Sequence, residues 1–384
     1  MRNKSVQVFS FPKKISLDSP EQTMKPEKNN IKKIITMKKL ISIIILLFIV
    51  ITTQAQLPRV IILATGGTIA GAGAAADQAG YKAGALPIDQ LLNAVPAIHK
   101  YAKVTGEQIS SIGSQDMSID IWMKLNKRIN EIFAKNEADG IVITHGTDTQ
   151  EETSFFLNLT LRSDKPVVFT GSMRAATAIS ADGPKNLFDA VVIAASPNSK
   201  GRGPIVTFSE NIFDGRDIVK TNSTHMEPYT APNAGPIGQI YDAKVFYYQT
   251  STRKSDKDTP FDISGVTKMP RVEIVYMYAD ANPSLINHLV SEKVDGLVIA
   301  GVGNGNFNKA FYDAIDAAVK AGVVVCRATR CTGGRVVLKD EVDDDKLGTI
   351  VSDDLNPQKA RIMLMVGLTK TKDKKQLQDY FFQF

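Results

Sequence analysis

Short, wholly apolar runs recur along this chain, separated by stretches where apolar residues return every three or four positions. Val60-Ile61-Ile62-Leu63 and Ile141-Val142-Ile143 are the clearest runs. An uninterrupted apolar run bounded by turn residues predicts a strand buried on both faces. On this pattern strands fall at 59–64, 109–113, 140–144, 167–171 and 205–208. Between them Ile119, Trp122, Leu125, Ile129, Ile132 and Phe133 keep helical spacing over 118–136, behind Ser118 as an N-cap. A further helix starts near Asp182-Gly183-Pro184 and carries Leu187, Val191 and Ile193. Trp122 and these aliphatic residues are read as core. Strands alternating with helices predict an α/β protein with a largely parallel sheet.

The pattern lapses between 247 and 269, where Gln249 to Asp258 is polar or charged throughout, and it resumes at 272–276, 296–300 and 323–325. The last helices are expected near 356–368 and 374–382. The chain therefore reads as two α/β domains: a larger N-terminal domain with a flavodoxin-like sheet over 57–246 and a smaller parallel-sheet domain over 270–384. A linker over 247–269 joins them.

Charge changes the picture only at the start. The formal charge of the 384 residues is +6. The first 36 hold eight Lys/Arg against three Asp/Glu, and Lys38 and Lys39 follow, so the chain beyond Lys39 carries −1. A basic surface for nucleic acid or anionic lipid is thus not expected. Met37-Lys38-Lys39, the apolar stretch from Leu40 to Ile51, and Thr53-Gln54-Ala55 have the layout of a secretory signal cleaved before Gln56. The apolar stretch is shorter than the roughly 20 residues that span a bilayer. Residues 37–55 are read as a signal peptide and 1–36 as an extension ahead of the true start at Met37. The expected location is the periplasm, with no membrane contact after cleavage. Cys326 and Cys331 are read as free buried thiols, with a local bridge between them as the alternative, and the four scattered histidines support no metal site. No cofactor is expected.

The candidate chemistry lies just beyond the strands. Ala64-Thr65-Gly66-Gly67-Thr68-Ile69-Ala70 and Thr144-His145-Gly146-Thr147-Asp148 each put hydroxyls and glycines past the carboxyl end of a predicted strand, the edge where open α/β sheets bind ligands. Gly66 to Gly71 fits neither a dinucleotide fingerprint nor a P-loop. A threonine hydroxyl needs an activating neighbour to act as a nucleophile. The Gly- and Ala-rich stretch 71–84, with Tyr81 its one aromatic residue, reads as a mobile surface loop able to act as a lid. Gly113-Ser114-Gln115-Asp116 supplies a hydroxyl and an amide. Asp214 to Lys220 puts a cation in a polar loop, although by itself Lys220 reads as a surface lysine. His145 reads as a structural, hydrogen-bonded residue.

Together with Ser180 to Pro184, Gly301-Val302-Gly303-Asn304-Gly305-Asn306 and Glu341-Val342-Asp343-Asp344, these segments closely resemble the bacterial type II (exported) L-asparaginases, from about Leu57 to Phe384. The resemblance implies a homotetrameric amidohydrolase acting on L-asparagine. In it Thr68 is the nucleophile with Tyr81 beside it, and Thr147, Asp148 and Lys220 form a supporting group. Ser114, Gln115 and Asp148 bind the amino-acid head group, and Asn306 and Glu341 enter from a neighbouring subunit. The chain reads Gly171-Ser172-Met173-Arg174-Ala175 where the family often has Gly-Ala-Met-Arg-Pro. Ser172 would lie beside the substrate amide, which opens the substrate range to L-glutamine. The disulfide of some exported members is absent.

The expected mechanism is double displacement through a β-aspartyl ester on Thr68, with backbone N–H groups near Gly67 and Thr147 facing the oxyanion. Direct attack by water activated through Thr147 and Lys220 stands open beside it. Two other functions fit part of the pattern: an exported amino-acid-binding protein, and an amidase of larger substrates such as aminoacyl-tRNA. The charge beyond Lys39 disfavours the latter.

Overall fold

The structure, a computed structural model, describes residues 32–33, 35–42, 56–77 and 80–384. It divides into two units, Met1–Gln56 and Leu57–Phe384. In the first, residues 35–42 are helical and exposed. Most of the extension 1–36 and of the signal segment 37–55 lies outside the described residues. No helix among the described residues is long and apolar enough to cross a membrane.

Leu57–Phe384 is built on two sheets. The larger contains β1 (Arg59–Gly66), β2 (Lys103–Ile112), β3 (Gly140–Thr144), β4 (Val167–Thr170), β5 (Pro204–Phe208), β6 (Asn211–Asp214), β7 (Gly238–Tyr241) and β8 (Lys244–Tyr247). Their spatial order is β8-β7-β6-β5-β4-β3-β1-β2. The five strands β2-β1-β3-β4-β5 are parallel. This is the flavodoxin-like order 2-1-3-4-5, whose switch point falls between β1 and β3. The remaining three strands are antiparallel to their neighbours, so the sheet is mixed rather than purely parallel.

Side chains alternate between the two faces of this sheet. Val60, Ile62, Val142, Val168 and Ile205 pack under a helix at Gly183–Ala195. Leu63, Ile141, Ile143, Phe169 and Val206 pack on the other face against helices α1 (Ile119–Ala134) and α2 (Gln150–Thr160). Ser118 caps α1, accepting from the Ile121 N–H.

The strand ending at Ile112 begins at Lys103, six residues before its expected start. It is the sheet edge, and Lys103, Thr105, Gly106 and Gln108 face solvent, so its first half carries no apolar run. Helix α2 shows no amphipathic period because it is buried almost all round, polar residues included. Packing on both sides leaves no solvent face to write a period into the sequence.

The smaller sheet is parallel throughout: β9 (Val272–Tyr276), β10 (Gly296–Gly301), β11 (Val324–Thr329) and β12 (Ile350–Val351). Its last helices, Pro357–Leu368 and Lys374–Gln383, fall close to their expected places. The helix at Pro357–Leu368 joins α2 in one hydrophobic core, so the two sheets are not independently packed.

The polar segment between the sheets is no loose tether. Phe261 is fully buried, edge-on to Tyr380 and Phe384 at 4.9 and 5.3 Å between ring centroids. Arg162 donates to the carbonyls of Asp256 and Thr259. Cys326 and Cys331 are free, but only Cys326 is buried, because Cys331 lies in the loop past β11.

Candidate active site

The loops after β1 and β3 meet at the switch point, and glycine allows them to. Gly66 and Gly67 have φ of +113° and +79°. A Cβ on Gly67 would lie 2.4 Å from the Gly146 nitrogen, so the two backbones touch where a side chain would not fit. A Cβ on Gly146 would similarly lie 2.7 Å from Ser114 Oγ, which brings the loop after β2 into the same cluster. Thr68, buried, opens a short 3-10 turn directly after this junction.

Thr68 Oγ1 lies 2.7 Å from the Tyr81 hydroxyl. Tyr81 comes from the Gly/Ala-rich segment, which forms a small hairpin pairing Ala72–Gly73 with Tyr81–Lys82. Gly73 N–H donates to Thr177 Oγ1 and Ala176 N–H to the Gly71 carbonyl, so the hairpin rests on the 173–180 loop. The segment expected to act as a lid thus forms a hydrogen-bonded hairpin in this structure, with Gln78 and Ala79 outside the described residues.

On the β3 side, Lys220 Nζ donates to Thr147 Oγ1 at 2.7 Å and to Asp148 Oδ1 at 2.6 Å. The lysine side chain is only 13% exposed, whereas Asp148 is 59% exposed. Lys220 is therefore not the free surface lysine its local sequence implied. With one lone pair taken by the ammonium, the Thr147 hydroxyl turns its proton to the Met173 thioether at 3.6 Å, a weak acceptor. A stronger acceptor entering the site would capture that proton.

Ser114 and Gln115 flank this group in different ways. Ser114 is buried, and its Oγ accepts from the Asp148 N–H at 3.1 Å. Gln115 is exposed and folds back over Gly113. Ser172 follows β4 and is fully buried, its hydroxyl donating to the Arg174 carbonyl. Asn306 and Glu341 are hydrogen-bonded to each other at 2.6 Å in the smaller-sheet region. Among the described residues, neither bonds to the Thr68 or Thr147 group. The Gly67 N–H donates to the Ile112 carbonyl, so it is not a free oxyanion donor. Thr68 is the first residue of its 3-10 turn, a position whose N–H has no partner within the turn.

Two stretches of the chain match known family models. Residues 59–253 match the asparaginase N-terminal domain, and residues 271–381 match the glutaminase/asparaginase C-terminal domain. The chain is 48% identical over 328 residues to L-asparaginase 2 of Escherichia coli, covering 85% of this chain and 94% of that one. It is 47% identical over 334 residues to a probable periplasmic L-asparaginase of Haemophilus influenzae, covering 87% and 95%. The chain belongs to the asparaginase family. A solved structure of a probable cytoplasmic L-asparaginase from Campylobacter jejuni superposes with a TM-score of 0.82 at 44% identity, covering 85% of this chain and all of that one.

Around the asparaginase loops stand residues the sequence reading did not single out. The Tyr229 hydroxyl is buried 2.8 Å from the Thr147 carbonyl and 2.6 Å from Gln150 Oε1. Burial, with Glu151 and Asp148 nearby, holds its pKa well above the usual phenol value. Tyr229 also pairs with Lys220 through a two-residue antiparallel ladder. Glu151 Oε2 accepts from the Lys220 N–H at 2.6 Å, and its Oε1 accepts from Asn356 at 3.0 Å. Asp182, part of the Ser180 to Pro184 segment named above, accepts from the N–H groups of Met173 and Arg174. Glu151 lies in the helix without a period, and Tyr229 in a segment without one, so neither gave a signal.

His145 is fully buried and joins a one-way chain of hydrogen bonds. Trp122 Nε1 donates to Thr153 Oγ1 at 2.8 Å, Thr153 donates to His145 Nε2 at 2.9 Å, and Nδ1 donates to the Gly146 carbonyl at 2.7 Å. This holds the ring neutral, and burial lowers its pKa from 6.5 to about 4. The unfolded chain takes up a proton below 6.5 and the folded chain does not, so stability falls as pH drops from 6.5 towards 4. The loss attributable to His145 is about 3 kcal/mol. Urea unfolding of wild type and His145→Gln at about pH 7.5 and about pH 4.5 should show the larger acid-induced loss in wild type. Equal losses would show that His145 does not titrate in this window.

Proposed function

We propose that this asparaginase-family enzyme hydrolyses L-asparagine to L-aspartate and ammonia, with Thr68 as the nucleophile. The observation that carries this is the meeting, at one sheet edge, of a buried Thr68 bonded to a phenol and a Thr147–Asp148–Lys220 hydrogen-bonded group. The Thr68 oxygen attacks the side-chain amide carbon while its proton passes through Tyr81. The tetrahedral intermediate collapses as the protonated amide nitrogen leaves as ammonia. Thr147, held by Lys220, then directs a water to the β-aspartyl ester, which returns the proton to Thr68 and releases aspartate. The N–H groups of Thr68 and Thr147 face the oxyanion. A donor of this kind is worth about 10²–10³ in rate.

Asp148, Ser114 and Gln115 take the substrate's charged head group. Asn306 and Glu341, hydrogen-bonded to each other in the smaller-sheet region, offer oxygen acceptors to the α-ammonium group of a substrate in a neighbouring subunit's site, in a homotetramer. Ser172 and the C-terminal family match support glutaminase side activity. The Lys38-Lys39 leader and the periplasmic relative support export and cleavage before Gln56. Mass spectrometry of secreted protein should then find an N-terminus at or near Gln56, whereas one upstream of Met37 would exclude that reading.

Thr68→Ala should lower kcat by about 10³-fold or more while the folded protein still binds aspartate. Refolded together with Glu341→Ala, also poorly active alone, it should regain part of the ammonia release, since intact Thr68 can meet intact Glu341 across an interface. Wild-type-like turnover by Thr68→Ala would overturn the nucleophile. No recovery in verified mixed assemblies would overturn the shared site.

A further inference from the structure

Behind the exposed Asn306–Glu341 pair lies a fully buried guanidinium. Arg327, on β11, is 1% exposed, and its partner Asp344 is equally buried. All five guanidinium N–H groups have acceptors. Nε and Nη2 hold the two Asp344 carboxylate oxygens at 2.7 Å each. Nη1 donates to the carbonyls of Asn304 and Gly305 at 3.1 and 3.3 Å, and Nη2 also donates to Val337 at 3.2 Å. The Asn304 and Gly305 carbonyls lie immediately before Asn306, and Val337 lies in the loop that leads to Glu341.

Other bonds knit the same two segments. Asn304 Oδ1 accepts from the Val337 N–H at 2.8 Å, and its Nδ2 donates to Asp340 at 2.7 Å. Asp344 also accepts from the Lys339 N–H and the Thr349 hydroxyl. Burial would push the Asp344 carboxyl up, but these bonds with Arg327 outweigh it and keep the group ionised. At the far end, Asn306 Oδ1 is buried with no partner among the described residues, an acceptor open to a donor.

A buried ion pair is weak evidence of stability, because well-packed apolar residues of similar size often do as well. What apolar residues cannot do is grip three carbonyls on two loops at once. The planar, fixed fork of arginine can, and a lysine ammonium cannot span them. We infer that Arg327, locked by Asp344, is a positioning residue that sets the spacing of Asn306 and Glu341 as acceptors for the substrate's ammonium group. The inference rests on the reading that this pair completes a neighbouring subunit's site.

The test is a double-mutant cycle read as KM for asparagine and kcat, with assembly checked by sizing and folding by thermal denaturation. Glu341→Ala should raise KM at least about tenfold, as expected for a lost charged hydrogen bond. Replacing both buried partners, Arg327→Met with Asp344→Leu, should raise KM similarly with little change in kcat. Adding Glu341→Ala to that pair should change KM no further. A wild-type KM in the Arg327/Asp344 variant, or effects that multiply in the combined variant, would overturn the positioning role. An unchanged KM in Glu341→Ala alone would instead overturn the shared-site reading. Should the double variant not fold, Arg327→Lys keeps a charge opposite Asp344 but loses the fork. It should raise KM in the same way, and a wild-type KM there counts equally against the inference.

Discussion

The site depends on the backbone contact between Gly67 and Gly146. At the switch point of the large sheet, β1 and β3 lie side by side and their outgoing loops turn to opposite faces. Neighbouring parallel strands are only about 4.8 Å apart. Loops with side chains at these positions could not fold over one another, since a Cβ on Gly67 would overlap the Gly146 nitrogen. With glycine in both places, two threonine-bearing loops meet at one sheet edge. Without this contact, Thr68 with Tyr81 and Thr147 with Lys220 would be two unrelated hydroxyl groups at separate strand ends.

Charge then fixes what the glycines bring together. Lys220 arrives on a two-residue ladder whose partner, Tyr229, donates its hydroxyl to the Thr147 carbonyl. Glu151 holds the Lys220 backbone from the first turn of α2 and bonds across to Asn356 in the smaller-sheet region. Lys220 is thus held at its ammonium by Thr147 and Asp148 and at its backbone N–H by a buried carboxylate. A partly desolvated lysine with two charge-assisted bonds is held far more firmly than one in solvent. The smaller sheet contributes to the geometry of the larger one through this contact as well as through the shared core.

The parallel strands were legible because burial on both faces writes a continuous apolar run, and β3 falls at its expected bounds. The edge strand β2 was half legible, and the antiparallel strands β6 to β8 not at all: each is four residues of mixed polarity, β7 and β8 are half exposed, and β6, though buried, is too short to write a run. The two threonine loops could be located from the glycines and hydroxyls that follow the runs. Lys220 could not be placed beside Thr147 from spacing alone, because 73 residues separate them. Only resemblance to the family linked the two. The Arg327 fork was invisible for a similar reason: nothing in a sequence says that an arginine on a buried strand will find a carboxylate and three carbonyls.

The proposed Thr68 nucleophile requires a covalent intermediate during turnover. Its most direct test is acid quench of the enzyme during asparagine turnover, followed by peptide mass spectrometry. An aspartyl ester is expected on the peptide carrying Thr68, appearing before steady state and vanishing when substrate is exhausted. An ester on Thr147 in its place, or none at any quench time, would contradict the Thr68 assignment.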